Sequence, residues 1–123
     1  MPAYVNSNEQ LIVELYVRDL KSSAAFYQRF GFTVERDDGN FIVLKWEDSM
    51  LFLEEVPDCP PLTHAVGNIR IMVAEVDQYW ALAVELGAEI IRPIKDRYYG
   101  LRDFTIAGPD GLGLRFATRL SEG

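Results

Sequence analysis

Apolar and polar positions alternate along this chain in two blocks that share one order. Leu11-Ile12-Val13-Glu14-Leu15-Tyr16-Val17 is rich in β-branched and apolar residues and predicts a strand. Asp19 is a plausible N-cap, and Leu20, Ala24, Phe26, Tyr27 and Phe30 then fall mostly on one helical stripe. Gly31 suits the left-handed position that ends such a helix. Phe32–Glu35, Phe41–Trp46 and Met50–Glu54 read as three further strands, separated by turns at Asp37–Asn40 and Glu47–Ser49. Residues 1–9 read as a loose terminal arm.

The second block repeats the first at an offset of 56 residues, so that Val17-Arg18-Asp19-Leu20 lines up with Val73-Ala74-Glu75-Val76, and Phe30-Gly31-Phe32 with Leu86-Gly87-Ala88. It predicts a strand at Ile69–Ala74, a helix over 76–86 stopped by Gly87, and strands at Glu89–Arg92, Arg102–Ala107 and Leu112–Thr118. Gly108-Pro109-Asp110-Gly111 is a strong turn signal. The expected organisation is one domain over residues 1–123, with βαβββ modules at 10–55 and 67–118 and a linker at 56–66. That linker region holds three prolines between Pro57 and Gly67, with Cys59 and the sole histidine, His64. In each module one sheet face packs on the helix and the other is left for something else.

The pattern Leu15-Tyr16-Val17-Arg18-Asp19-Leu20, Ser23, Phe26-Tyr27, Phe30-Gly31-Phe32 resembles the first module of the vicinal oxygen chelate superfamily, the glyoxalase, bleomycin resistance protein and dioxygenase group. Tyr99-Gly100-Leu101-Arg102-Asp103-Phe104 followed by Gly108-Pro109-Asp110-Gly111 is similar to its second module. The resemblance spans roughly residues 10–118 and implies an α+β fold of two βαβββ modules forming half-barrel cups. It also implies a homodimer. For activity it is weak, because the group includes metal enzymes as well as drug-binding proteins.

Enzymes of that superfamily hold a divalent metal near the start of the first strand and in the fourth strand of each module. Those positions fall here on Ile12, Phe52, Asn68 and Arg115. Isoleucine and phenylalanine have no donor atoms, arginine is a permanent cation, and asparagine alone is a weak ligand. With one histidine and one cysteine in the chain, neither an imidazole pair nor a thiol cluster is available. No metal and no cofactor are expected.

Strand alternation sorts what faces the cup. Val13, Leu15 and Val17 should pack on the helix, leaving Ile12, Glu14 and Tyr16 for the cup; Met50, Phe52 and Glu54 join them. In the second module Asn68, Arg70 and Met72 face it, with Gly113, Arg115 and Ala117. Glu14 and Arg70 are related by the repeat, and either pair structurally or orient a polar ligand. Burial would raise the pKa of Glu14 and make it a possible general base. Tyr98 and Tyr99, beside Gly100, read equally as a ligand-stacking lip and as a partly exposed turn or dimer contact. Trp46 and Trp80 read as packing residues.

Hydrophobic content of 49% and charged content of 25% fit a soluble globular chain. No apolar run nears the ~18 residues that span a bilayer. MPAYVNSNEQ lacks the basic and apolar regions of a signal peptide, so a cytoplasmic location is expected. Net charge of −7 argues against nucleic acid, whose phosphates need a basic surface. It serves solubility and would draw cationic small molecules. The function expected is metal-independent binding of a small molecule, as in the bleomycin resistance proteins that sequester a drug without chemistry. Glu14, Tyr16, Phe52, Glu54, Asn68, Arg70, Tyr98, Tyr99 and Arg115 are the ligand-binding candidates. Arg70 and Arg115 would suit an anionic or carbonyl-bearing ligand better than bleomycin. The alternative is a glyoxalase-type lyase, isomerase or dioxygenase with an unusual metal site or acid–base work by Glu14.

Overall fold

A computed structural model of the protein describes residues 4–60, 62 and 66–121. The chain divides into two compact units, Met1–Pro60 and Pro61–Gly123. His64 lies outside the described residues.

The first unit contains α1 (Ser7–Gln10), β1 (Val13–Val17), α2 (Leu20–Arg29), β2 (Thr33–Asp37), β3 (Phe41–Trp46) and β4 (Ser49–Glu55). Its sheet runs β1-β4-β3-β2, with β1 and β4 parallel and the other pairs antiparallel. The second unit contains β5 (Gly67–Met72), α3 (Val76–Glu85), β6 (Ile90–Asp96), β7 (Leu101–Ala107) and β8 (Leu112–Arg119), in the matching order β5-β8-β7-β6. Each unit is therefore a βαβββ module with an open four-stranded sheet, and neither sheet closes into a barrel.

Both helices use the same end devices. Each starts by donating its first backbone N–H to a side chain of the module's last strand: Leu20 N to Glu55 Oε2 at 3.0 Å, and Val76 N to Thr118 Oγ1 at 2.9 Å. Asp19 caps α2 further by accepting from Ser22 N. Each helix stops on a left-handed glycine, Gly31 (φ +123°) or Gly87 (φ +69°), followed by a hydrogen bond that reaches back five residues. These bonds run from Phe32 N to Tyr27 O at 3.2 Å and from Ala88 N to Ala83 O at 3.0 Å, the Schellman arrangement. In the first unit the accompanying apolar contact is Phe32 edge-on to Tyr27, ring centroids 5.4 Å apart.

The buried stripes also correspond. Leu20, Ser23, Ala24 and Tyr27 face the sheet from α2, while Val76, Tyr79, Trp80 and Ala83 hold the equivalent positions on α3. Volume is exchanged along the stripe: Ala24 becomes Trp80, and Tyr27 becomes Ala83. Those two changes roughly cancel in volume, while Ser23 becomes the much larger Tyr79. Tyr79 stacks on Phe116 at 4.7 Å and Trp80 meets Phe104 edge-on at 5.2 Å. Both tryptophans pack as expected, Trp46 against Phe32 at 5.3 Å.

Several element bounds differ from the sequence expectation. The terminal arm holds a helical turn, Ser7–Gln10. β1 begins at Val13, not Leu11, because its pairing with β4 begins at Val13 opposite Leu51. Ser49 belongs to β4, and β2 continues to Asp37. β6 runs on through Pro93 to Asp96. It is an edge strand with two register shifts, where a missing N–H costs no ladder bond.

Gly31 carries two constraints at once. Besides its positive φ, a Cβ there would lie 2.8 Å from the Trp46 ring, whereas at Gly39 (φ +92°) a Cβ would meet nothing within 4 Å. Gly31→Ala should therefore destabilise the protein by about 1–3 kcal/mol, and Gly39→Ala by visibly less. Urea unfolding of both variants checks this, and equal costs would mean that the Trp46 contact contributes nothing.

Candidate functional site

In both units the helix covers one sheet face, and the other is the open face, which carries the candidate residues. In the first unit Leu51 and Leu53 are buried beneath α2, so Glu14, Tyr16, Phe52 and Glu54 occupy the open side, with Glu14 paired to Phe52 and Tyr16 to Glu54. Phe52 packs edge-on against Phe41 at 5.2 Å, and the guanidinium of Arg36 lies 5.9 Å from the Phe41 ring centre. This face thus has an aromatic centre flanked by two carboxylates. Glu14 is exposed, so the burial expected to raise its pKa is not found.

The open face of the second unit has a different character. Asn68 pairs with Gly113, Arg70 with Arg115, and Met72 with Ala117. The Asn68 side chain fills the space over Gly113, where a Cβ would fall 2.2 Å from Asn68 Oδ1. Beside them on β7 lies Asp103, whose side chain has no solvent exposure.

Asp103 gathers three partners. Oδ1 accepts from Arg97 Nε at 2.8 Å. Oδ2 accepts from the Tyr99 hydroxyl at 2.7 Å, from Arg115 Nε at 3.2 Å and from Arg115 Nη2. Arg115 Nη2 also donates to the Tyr99 oxygen at 2.9 Å, and its guanidinium lies 5.6 Å from the centre of the Tyr99 ring. Arg97 is tied down by donating to Pro93 O at 2.6 Å. Burial pushes the Asp103 carboxyl up. The bonds from Tyr99, Arg115 and Arg97, with the Arg115 charge, outweigh burial and hold the carboxyl below the usual carboxylate range. Two cations share one anion, so the cluster carries one net positive charge.

Of the nine expected ligand-binding residues, Tyr99 and Arg115 are joined in this cluster. Asn68 and Arg70 share its sheet face, and Tyr98 projects fully into solvent beside it, its ring 5.1 Å from that of Tyr99. Glu14, Tyr16, Phe52 and Glu54 belong to the first unit's open face. Asp103 and Arg97 were not among the expected residues. Alternation in β7 carried the signal for Asp103: Phe104 and Ile106 must face the helix, which sends Asp103 and Thr105 to the open side. Arg97 gave none, because it lies beyond β6, in the tight link before β7.

The residues at the superfamily's metal positions do not fit a metal ion. Phe52 is engaged with another ring, Asn68 stands over a glycine, and Arg115 is a fixed cation bonded to a carboxylate. Among the described residues no three His, Cys, Asp or Glu side chains come together as a possible ligand set.

A family model described as the glyoxalase/bleomycin resistance protein/dioxygenase superfamily matches residues 10–116. The chain belongs to this superfamily. No curated protein matches the sequence. Among solved structures, the bleomycin resistance determinant encoded on the transposon Tn5 is 24% identical, with a TM-score of 0.74 over 90% of this chain and 98% of that one. A bleomycin-binding protein complexed with bleomycin is 24% identical, with a TM-score of 0.71 over 93% and 99%. A superfamily member from Nocardioides reaches 0.77 at 19% identity over 97% and 88%. At these identities the likeness establishes the fold. Among the described residues no helix is long and apolar enough to cross a membrane.

Removing the Asp103 charge leaves two guanidinium groups without a shared counter-ion. Asp103→Asn should cost about 3 kcal/mol, the lower end of what breaking a buried ion pair costs, because both arginines retain some access to water. Since the folded carboxyl titrates below its unfolded value of about 3.9, its contribution is fully present above that pH. It is lost as pH falls further, through the folded value. Urea unfolding of wild type and Asp103→Asn from pH 7 to pH 2 should give curves that converge only at the acid end. A constant gap throughout would assign the loss to packing.

Proposed function

We propose that this protein binds a small organic molecule without a metal ion, using the open sheet faces, and that it works as a homodimer. The observation that carries this reading is Arg115. At a position where superfamily enzymes place a metal ligand, this chain has a permanent cation locked onto a buried carboxylate by two of its nitrogens. Such a group can hydrogen-bond and orient an oxygen atom, but it cannot coordinate a metal.

Support also comes from the first unit. Its open face offers Tyr16, 61% exposed, and the Phe41–Phe52 pair as apolar contact area, with Glu14 and Glu54 as charged points. A few placed polar groups among aromatic surface is the usual make-up of a ligand site. Exposed apolar side chains at and just before the start of β1, Val13 and Leu11, are surface that a second copy of the chain would cover. Structural likeness to a bleomycin-binding protein is consistent with binding as the role.

The test is a thermal-shift screen of chelator-treated protein against Zn(II), Ni(II), Mn(II) and Fe(II), bleomycin, and small aromatic acids, amines and neutral compounds. An organic ligand at 100 times its Kd adds about 2.7 kcal/mol of stability, a rise of several degrees in Tm. The expected result is a shift with at least one organic class and none with the metals. A shift that saturates at one divalent ion per chain would overturn the proposal and favour a metal enzyme.

A further inference from the structure

On a chain of net charge −7, the open face of the second sheet is basic. Register places Arg70 beside Arg115, Arg92 opposite Thr105 and Lys95 opposite Asp103. Thr105 and Asp103 lie on the face opposite the helix-packed Phe104. Against these four cations the open-face positions of β5–β8 present one carboxylate, Asp103, and it is already shared by Arg97 and Arg115.

The other face of the same sheet is treated differently. There Arg102 binds Asp77 on α3 at 2.9 Å and Asp96 on β6 at 3.0 Å. Within the second unit, among the described residues, the side chains of Arg70, Arg92 and Lys95 make no such bond, and all three are exposed. Arg70 and Arg115 stand abreast on neighbouring strands, an arrangement that repels and costs stability. An oxyanion between them would remove the repulsion and accept from both forks.

Arg115 is also preorganised for that role. Asp103 and Tyr99 fix Nε and Nη2. Within the second unit, among the described residues, Nη1 makes no hydrogen bond and keeps its donors for another acceptor. Met72, 40% exposed, lies two residues from Arg70 on the same face, and the Tyr99 ring flanks Arg115 on the other side. The charged point therefore has apolar surface next to it.

We infer that the second sheet's open face binds the carboxylate or phosphate group of a small organic acid between Arg70 and Arg115, with Arg92 and Lys95 reinforcing the field and Met72 and Tyr99 receiving an apolar body. This rests on the small-molecule-binding reading and narrows its ligand class to anions.

The experiment is a titration of the full chain, followed by amide NMR shifts, with benzoate, phenyl phosphate, inorganic phosphate, benzyl alcohol and benzylamine at low salt. Benzoate or phenyl phosphate should bind, with shifts clustered on β5 and β8. Affinity should fall at least tenfold in Arg70→Gln and further in Arg70→Glu, and a few-fold in Lys95→Gln. It should also fall as salt is raised. Binding by phenyl phosphate but not inorganic phosphate supports a ligand with an organic body; equal binding of the two overturns that part. Benzylamine or benzyl alcohol binding as well as benzoate, or unchanged affinity in Arg70→Glu, overturns the anion assignment while leaving small-molecule binding intact. No shift with any probe here, together with none from any organic class in the thermal screen, would remove both readings. Arg70 is exposed and outside the core and stands beside another cation, so its variants should keep or slightly raise the wild-type unfolding midpoint, which separates lost binding from lost folding.

Discussion

A carboxylate without solvent exposure in the middle of a sheet face constrains everything around it. Asp103 can remain ionised there only if its oxygens are filled with donors, and they are filled by three side chains from two places: Arg97 and Tyr99 in the link before β7, and Arg115 on β8. The link must therefore hold one shape. It does so with short-range backbone bonds, Arg97 N to Leu101 O at 2.7 Å and Gly100 N to Arg97 O at 3.1 Å, and with the left-handed Gly100. Arg97 also reaches back to the carbonyl of Pro93 on the edge strand. One buried charge thus fixes a loop, an edge and the orientation of the Arg115 guanidinium. Buried ion pairs of this kind add little net stability over apolar packing, yet here they hold the Arg115 guanidinium in one geometry.

The two modules show which features the fold requires and which are free to change. Helix ends are kept in kind: a strand side chain takes the first N–H, and a left-handed glycine with a five-residue back-bond closes the last turn. The helix–sheet interface moves its bulk between positions, with Ala24 and Tyr27 against Trp80 and Ala83, and adds Tyr79 where the first module has Ser23. The open faces keep neither residue type nor charge. One is aromatic with carboxylates at Glu14 and Glu54; the other is built on arginines. Packing against the helix constrains one side of each strand in the same way in both modules, whereas the open side is built differently in each, so residue type and charge can diverge there while the fold is kept.

That division also governs what could be read in the chain. The periodicities of 2 and 3.6, the glycines after each helix and the Gly108–Gly111 turn are local signals, and they place the elements and assign the faces of β1, β4, β5 and β8. β6 runs past Pro93 to Asp96, beyond the expected Glu89–Arg92, and a proline is tolerated there because the assembled sheet makes β6 an edge strand. Asp103 was within reach of the same alternation argument once Phe104 and Ile106 were assigned to the helix. Its coupling to Arg97 was not, because that contact depends on the path of a four-residue link. Burial of Glu14 was expected from its place on the cup face; in the structure it is exposed.

The substitution at Arg115 can be understood as a change in how positive charge is supplied. A divalent ion held by neutral and anionic side chains offers open coordination sites, polarises a bound oxygen and lowers the pKa of bound water. A guanidinium offers a fixed planar fork of donors, attracts anionic oxygen, and leaves the pKa of water nearly unchanged. Replacing ligands by arginine keeps the attraction and the orientation and gives up the Lewis acid. It also reverses the demand on the surroundings: a metal site needs acidic or imidazole ligands pointing at one spot, whereas a fixed arginine needs a counter-charge behind it and an open side in front. Asp103 at the back of Arg115, with Arg70 abreast, is that second arrangement. On the proposed reading, such a centre would supply charge and orientation for the reversible capture of an anionic ligand and not an activated oxygen.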